Sequence, residues 1–200
     1  MKLLIFSFLT FYTSIVLAQE KTSKLTYGLK VGLTMSNLSP DYTDVSSGTK
    51  TDFRYKRGFT FGARVLVDAG KHFLLMPELS LVGKGSKKYV DYSSGYIPHS
   101  PALSTSMEAT INLLAKFYSK QTKFMFGGGP SFAVAMDQYR EDVGDTDAGI
   151  NMLAAIQTPI GFSVELNFNK GFKKQTGNIF YGNSKALTTN LFGFCIGYTF

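Results

Sequence analysis

The sequence has few of the residues from which disulfide frameworks and hydrolytic sites are built. It contains one cysteine, Cys195, two histidines and no tryptophan in 200 residues. One thiol cannot form an internal disulfide, so the fold cannot depend on such a bond. Cys195 lies within an apolar alternating segment, where a cysteine behaves as a small apolar residue. The sequence therefore excludes a disulfide scaffold.

Motifs that carry enzymatic chemistry are also missing. The sequence holds no GxSxG, HExxH, P-loop or paired CxxC pattern. His72 falls in a short turn and His99 in a long loop, and the alternation of loop lengths places these at opposite ends of the molecule. Side chains so far apart cannot form one site. We expect no enzyme, no cofactor and no metal site.

Long hydrophobic runs are confined to the N-terminus. The stretch "MKLLIFSFLTFYTSIVLAQE" has Lys2, an apolar stretch, and small residues at Val16 and Ala18. This pattern predicts a secretory signal peptide over residues 1–18, rather than an uncleaved anchor, because the apolar stretch is short for a spanning helix. Residues 19–200 then form one domain. If this domain lives in a membrane, it crosses it with strands.

What the sequence does contain is alternation with a period of two. Large apolar residues take every second position in eight segments, while Gly, Ser, Thr and a few charges fill the places between. This period is typical of strands whose two faces meet different surroundings. The segments cover residues 25–35, 59–68, 73–85, 107–117, 123–136, 149–160, 162–168 and 189–200.

The lengths of the connections alternate too. Long polar connections are predicted over residues 37–57, 85–105, 137–149 and 170–186, and only a few residues join the other pairs of strands. Such alternation is typical of a barrel with one elaborated rim. The sequence predicts an all-β fold, an eight-stranded antiparallel up-and-down transmembrane β-barrel, with both termini at the periplasmic rim.

Alternation alone does not say which face points inward, since a soluble lipocalin-like barrel has the same period with its apolar side inside. Eight strands enclose room only for filling side chains or one small ligand, so the face rich in small residues is expected inside. Charges of both signs share that face, where they can pair across a narrow lumen. The predicted lumen charges are Lys30, Arg64, Glu78, Lys84, Glu108, Lys116 and Glu165.

The last strand ends on an aromatic residue. A terminal Phe with apolar residues at every second position before it resembles the signal that outer-membrane barrels present to the barrel assembly machinery. The predicted signal is Phe194, Ile196, Tyr198 and Phe200. Aromatic residues also collect near the short-turn ends of the strands, where a membrane-interface girdle is expected. They are Tyr27, Phe73, Phe117, Phe124, Phe162 and Phe200.

The formal net charge of +7 predicts an anionic partner. Nucleic acid is not expected, because the basic residues do not share one face and the chain is exported. Phosphates of lipopolysaccharide at the outer rim fit better, with solvated loop charges as the alternative. The basic residues assigned to that rim are Lys50, Arg54, Lys56, Arg57, Lys84, Lys87, Lys88, Lys170, Lys173, Lys174 and Lys185.

Four stretches carry a resemblance to a known family. "YGLKVGLTMSNL", "LLMPELSLVGKGSK", "GGGPSFAV" and the terminal "GFCIGYTF" resemble PorT-like outer-membrane β-barrels of Bacteroidota, which share the OmpA/OmpX architecture. The resemblance implies an eight-stranded barrel in the cell outer membrane. The absence of catalytic motifs favours a non-enzymatic surface, structural or partner-binding role. The resemblance suggests, as the alternative, an accessory role beside proteins of a secretion or envelope-assembly complex such as type IX secretion.

Overall fold

The computed structural model describes residues 25–39, 42–43, 50–92, 95–98, 102–136, 146–172 and 188–200. The predicted signal peptide, His99, Lys173, Lys174 and Lys185 lie outside these ranges, and the signal peptide therefore stays a prediction. Within the ranges, no helix is long and apolar enough to cross a membrane.

Ten strands make up the described chain. In chain order they are β1 (Leu25–Ser39), β2 (Tyr42–Thr43), β3 (Lys50–Asp68), β4 (Phe73–Tyr92), β5 (Gly95–Pro98), β6 (Ala102–Ser119), β7 (Thr122–Ala135), β8 (Thr146–Gln157), β9 (Phe162–Gly171) and β10 (Thr188–Thr199).

Eight of these strands close into a barrel. Every pairing is antiparallel, and the circuit runs β3, β1, β10, β9, β8, β7, β6, β4 and back to β3. The short strands β2 and β5 pair only with the far ends of β3 and β4. Closure leaves no barrel strand with an unpaired edge, which removes the site at which open sheets aggregate. The predicted eight-stranded antiparallel barrel is confirmed.

The short turns and the two ends of the described chain lie at one rim, which we call the short-turn rim. Residues 69–72, 120–121 and 158–161 make the turns, and Gly161 has a φ of 88°, a conformation that glycine adopts without strain. The amide of Phe200 donates a hydrogen bond to the carbonyl of Tyr27 at 2.8 Å. The longer connections all leave from the opposite end, the long-loop rim.

The long connections are shorter than the sequence pattern predicts. β3 begins at Lys50 and β4 runs to Tyr92, so much of residues 37–57 and 85–105 is strand. The prediction that the basic residues lie in loops was wrong for those on β3, β4 and β9. Where these strands extend beyond the apolar band, polar residues replace the outward apolar ones, so the alternation that marks a strand is lost from the sequence. These residues are Lys50, Arg54, Lys56, Arg57, Lys84, Lys87, Lys88 and Lys170.

The two faces of each strand differ sharply in exposure. Leu33 is 71% exposed, whereas Thr34 beside it is 2% exposed. On β4, Leu79 points outward and Glu78 lies inside. The expectation that only small or polar residues fill the lumen was wrong in one part. Seven apolar residues form an internal cluster, the apolar plug: Leu66, Leu74, Met76, Leu114, Met125, Leu153 and Ala155.

Candidate functional site

The lumen is the most chemically distinctive part of the barrel, and its central feature is a buried ion pair. The Arg64 guanidinium on β3 contacts the Glu165 carboxylate on β9, and their side chains are 1% and 0% exposed. Arg64 Nη2 also donates to Ser163 Oγ at 2.9 Å, and Ser163 Oγ donates to Glu165 Oε1 at 2.9 Å. These contacts tie together strands on opposite sides of the lumen.

A second ion pair joins neighbouring walls. Lys30 Nζ on β1 lies 2.6 Å from Glu78 Oε1 on β4. Ser80 Oγ donates to the same carboxylate oxygen at 2.6 Å. The Lys30–Glu78 contact bridges β1 and β4, which both pair with β3 but not with each other. The pair therefore reaches across one strand inside the barrel.

Two further ion pairs lie nearer the two rims of the barrel. Lys84 Nζ contacts the Glu108 carboxylate, which also accepts a hydrogen bond of 2.7 Å from Asn169 Nδ2. Towards the short-turn rim, Lys116 Nζ lies 2.5 Å from Asp68 Oδ1. Lys84 was expected both in the lumen and on the outer rim, and the structure places it in the lumen.

All seven residues of the predicted lumen set are thus inside, and each has a partner of opposite charge. Sequence reasoning did not select Asp68, Ser163 or Asn169, although all three lie in the polar phase of their strands. It also missed the hydrogen bond of 2.9 Å from Asn151 Nδ2 to Asn112 Oδ1. Ser163, Asn169, Asn112 and Asn151 are neutral, so a pattern based on charged residues does not reveal them.

Little open volume remains among these groups. A cavity of about 20 Å³ lies between Lys30, Glu78, Glu108, Asn167 and Cys195. That volume holds about one water molecule. The second carboxylate oxygens of Glu78 and Glu165 and the Asn167 amide oxygen are buried without a hydrogen-bond partner among the described residues. The cavity is polar, but it is far smaller than a solute pathway.

The apolar plug fills the part of the lumen nearer the short turns. It is built from apolar residues at inward positions of β3, β4, β6, β7 and β8, where most other inward residues are polar. The sequence signal for it was present, because Leu66, Met76, Leu114 and Leu153 are large apolar residues at inward positions. Facing β9, β10 and β1 carry small residues at inward positions, including Gly28, Gly32 and Gly197. Large and small walls therefore complement each other across the lumen.

Side chains that commonly bind metals are scattered among the described residues. No group of three or more His, Cys, Asp or Glu side chains there could hold a metal ion. Cys195 is a buried free thiol that accepts a hydrogen bond from Asn167 Nδ2 at 3.5 Å. His72 is exposed in the turn between β3 and β4.

The outward face of the closing strand is apolar from Phe192 to its end. Phe194, Ile196, Tyr198 and Phe200 are between 43% and 71% exposed. The rings of Tyr198 and Phe200 meet edge to face at 5.3 Å. Both lie at the short-turn rim, as does the stacked pair of Phe117 and Phe124. Aromatic side chains therefore surround this rim on the outside.

Comparison with solved structures gives similar barrels. OprG from Pseudomonas aeruginosa matches with a TM-score of 0.52 at 12% identity, covering 89% of this chain and 97% of that one. Neisserial surface protein A has a TM-score of 0.49 at 9% identity, with 87% and 97% covered. The outer membrane enzyme PagL has a TM-score of 0.45 at 10% identity, with 84% and 98% covered. Likeness at these identities concerns the fold alone.

No curated protein matches the sequence. A family model described as "Outer membrane protein beta-barrel domain" does match, and it covers residues 17–191. That span contains seven barrel strands entirely and the start of the eighth. The apolar outer wall, the charged lumen and the closed antiparallel topology are what such a domain requires. The chain belongs to the family of outer membrane β-barrel domain proteins.

Proposed function

We propose that this protein is a non-enzymatic integral barrel of the outer membrane that presents its long-loop rim to the cell exterior, where it has a surface, structural or partner-binding role. Residues 1–18 direct export and are then cleaved. The barrel is inserted by the barrel assembly machinery and is surrounded by outer-membrane lipid and lipopolysaccharide.

The observation that carries this proposal is the inversion of the two faces. Leucine and phenylalanine side chains cover the outside, whereas four ion pairs lie inside. A soluble barrel would place these groups the other way round. Exposing so large an apolar surface to water is unfavourable, and hydrocarbon removes that cost.

The filled lumen supports a role without transport. The apolar plug and the ion pairs leave a cavity for about one water molecule between them. A charge that is pulled out of such a pair stays buried without compensation, so solute passage would be opposed by several kcal/mol. Contacts made by the outer surface and by the long connections then carry the activity.

The resemblance to PorT-like barrels suggests an alternative, an accessory role beside proteins of a secretion or envelope-assembly complex. This alternative rests on the sequence resemblance alone. Deleting the gene tests it directly. Failure of protein secretion with intact outer-membrane permeability would favour the alternative, and normal secretion would remove it.

Surface labelling tests the main proposal. Two cysteine variants are made in a Cys195→Ser background. Gly144→Cys places the thiol in the connection between β7 and β8, and Lys71→Cys places it in a short turn. A membrane-impermeant maleimide should label intact cells of the first variant and only lysed cells of the second. The purified protein should pass no steady current in planar bilayers. Labelling of Lys71→Cys in intact cells, or stable conductance, would contradict the proposal.

A further inference from the structure

An apolar groove on the outer wall lies close to two exposed basic side chains. It has a volume of about 540 Å³, which is within the size range of ligand sites. Outward side chains of five successive strands line it, and among them are Phe126, Ala154, Leu166, Phe194 and Leu33. The register aligns these five residues in one row across β7, β8, β9, β10 and β1.

Ala154 is the cause of the groove. It is the one small residue in the row, and its neighbours Phe126 and Leu166 are 54% and 59% exposed. Leu153, Asn167 and Gly193, which point into the lumen, also line the groove. The depression therefore reaches the backbone of the wall between the large side chains.

The position of the groove determines what covers it. Its outward lining residues belong to the continuous apolar band that faces the hydrocarbon of the membrane. A depression in that band is filled by an acyl chain, because no water is available there and an empty space forfeits dispersion contacts.

Two basic residues stand at the end of the groove nearer the long-loop rim. Lys170 follows Phe168 by two residues on the outward face of β9, and Phe168 lines the groove. Arg57 on β3 is opposite Met35 of β1, another lining residue. Both cations are exposed, and neither has an ion-pair partner among the described residues. No Asp or Glu side chain that the structure describes faces outward.

We propose that this surface binds one lipopolysaccharide molecule, with an acyl chain of its lipid A in the groove and the phosphorylated head group held between Arg57 and Lys170. Guanidinium and ammonium groups suit phosphate oxygens. Two strands, β10 and β1, separate β9 from β3, so three inter-strand spacings put their backbones about 14 Å apart, which one phosphorylated disaccharide head group can bridge. The proposal rests on the proposed orientation, because that orientation turns these cations towards the leaflet that contains lipopolysaccharide.

Variants of the groove and of the cations separate the two contacts. Ala154→Phe fills the groove, and Ala109→Phe is its control, since Ala109 also lies outward between large residues, Leu79 and Phe132. Arg57→Gln with Lys170→Gln removes the cations, and Lys71→Gln is the control at the opposite rim.

The measurement is retention of deep-rough lipopolysaccharide by the purified full-length barrel in detergent, read by native mass spectrometry, with phosphatidylglycerol as a second probe. Filling the groove should weaken lipopolysaccharide retention about tenfold, because the displaced acyl chain loses its dispersion contacts with the groove. The cation variant should weaken it similarly, and both controls should bind as the unchanged protein does. Ala154→Leu gives the same test with a smaller side chain.

Several results would overturn the assignment. Equal retention by all variants would exclude a specific site, and equal retention of phosphatidylglycerol would make phospholipid the occupant. A dimer that Ala154→Phe dissociates would make a second copy the occupant. Each variant should remain heat-modifiable on gels, which shows that its barrel is folded. Failure of the proposed function would be distinguishable, because the unchanged protein would then also lack heat modifiability and outer-membrane location.

Discussion

At the scale of single residues, the lumen charges depend on one another. Arg64 and Glu165 are almost completely buried, so each is tolerated only because the other is present. Transfer of one ion out of water costs several kcal/mol, and a partner with additional hydrogen bonds offsets that cost. Ser163 supplies such bonds to both members of the pair.

A double-mutant cycle should reveal this dependence. Glu165→Leu leaves Arg64 charged and uncompensated, and should lower the free energy of unfolding by about 3 to 5 kcal/mol. Arg64→Met combined with Glu165→Leu should be less destabilising than Glu165→Leu alone. Urea unfolding in lipid vesicles measures both values together with that of Arg64→Met alone, which closes the cycle. Strictly additive effects would show that the two side chains do not interact.

Glycine is required where strands approach closely. A Cβ on Gly129 would lie 1.8 Å from the Ile111 carbonyl oxygen, which belongs to a backbone that cannot move aside easily. Gly129→Ala should therefore destabilise the barrel by about 1 to 3 kcal/mol, as overpacking does. Gly193→Ala is the matched control, since its nearest new contact would be an ordinary 3.5 Å to Asn167 Cβ. Equal unfolding curves for the two variants would contradict this reasoning.

At the scale of elements, the closing strand β10 joins the end of the chain to its beginning. It pairs with β1 from Gly28–Thr199 to Ser39–Thr188, and that pairing completes the barrel. The outward residues of β10 are apolar from Phe192 onward, and Phe200, just after the strand, is 71% exposed. Thr199 points to the lumen side beside Gly28 and is partly buried.

We propose that Phe200 acts in assembly more than in stability. A charge at the interface costs only about 0 to 1 kcal/mol, so Phe200→Asp should refold normally in detergent. The same variant should reach the outer membrane of cells at sharply reduced levels, whereas Thr199→Asp should reach it normally. Immunoblots of outer-membrane fractions give the comparison. Normal levels of Phe200→Asp would leave Phe200 as an ordinary lipid-facing residue.

At the scale of the whole molecule, the apolar band sets the position of the barrel in the bilayer. Leu79 lies outward within the apolar part of β4, opposite Ala63 and Ala109, whereas Ile160 projects from a short turn and is 74% exposed. These two aliphatic side chains therefore lie at different depths of the membrane.

Lysine substitutions should report these depths. Leu79→Lys should cost about 2 to 4 kcal/mol, and Ile160→Lys about 0 to 1 kcal/mol, because the penalty for a charge falls from the midplane to the interface. Reversible unfolding from vesicles measures the difference. Similar costs at both positions would show that the membrane does not surround the barrel as the apolar band indicates.

The sequence by itself determined the eight barrel strands and the direction of their faces, but not β2, β5 or the extensions of β3 and β4 towards the long-loop rim. Alternation in "LTYGLKVGLTM" and "FSVELNF" has one structural solution, since side chains of a strand alternate between two sides. It also determined that Lys30, Glu78 and Glu165 share the inner side. These are local properties, because a period of two needs only neighbouring residues.

Only the tertiary structure decided which inner residues meet. Glu165 pairs with Arg64, 101 positions away in the chain, because shear and closure bring β9 and β3 to facing parts of the lumen. The same closure gathers the apolar plug from five strands and aligns Ala154 with Leu33 across the outer wall. Register between distant strands is set by packing over the whole barrel, so the partners of a lumen charge cannot be derived from the phase of its own strand.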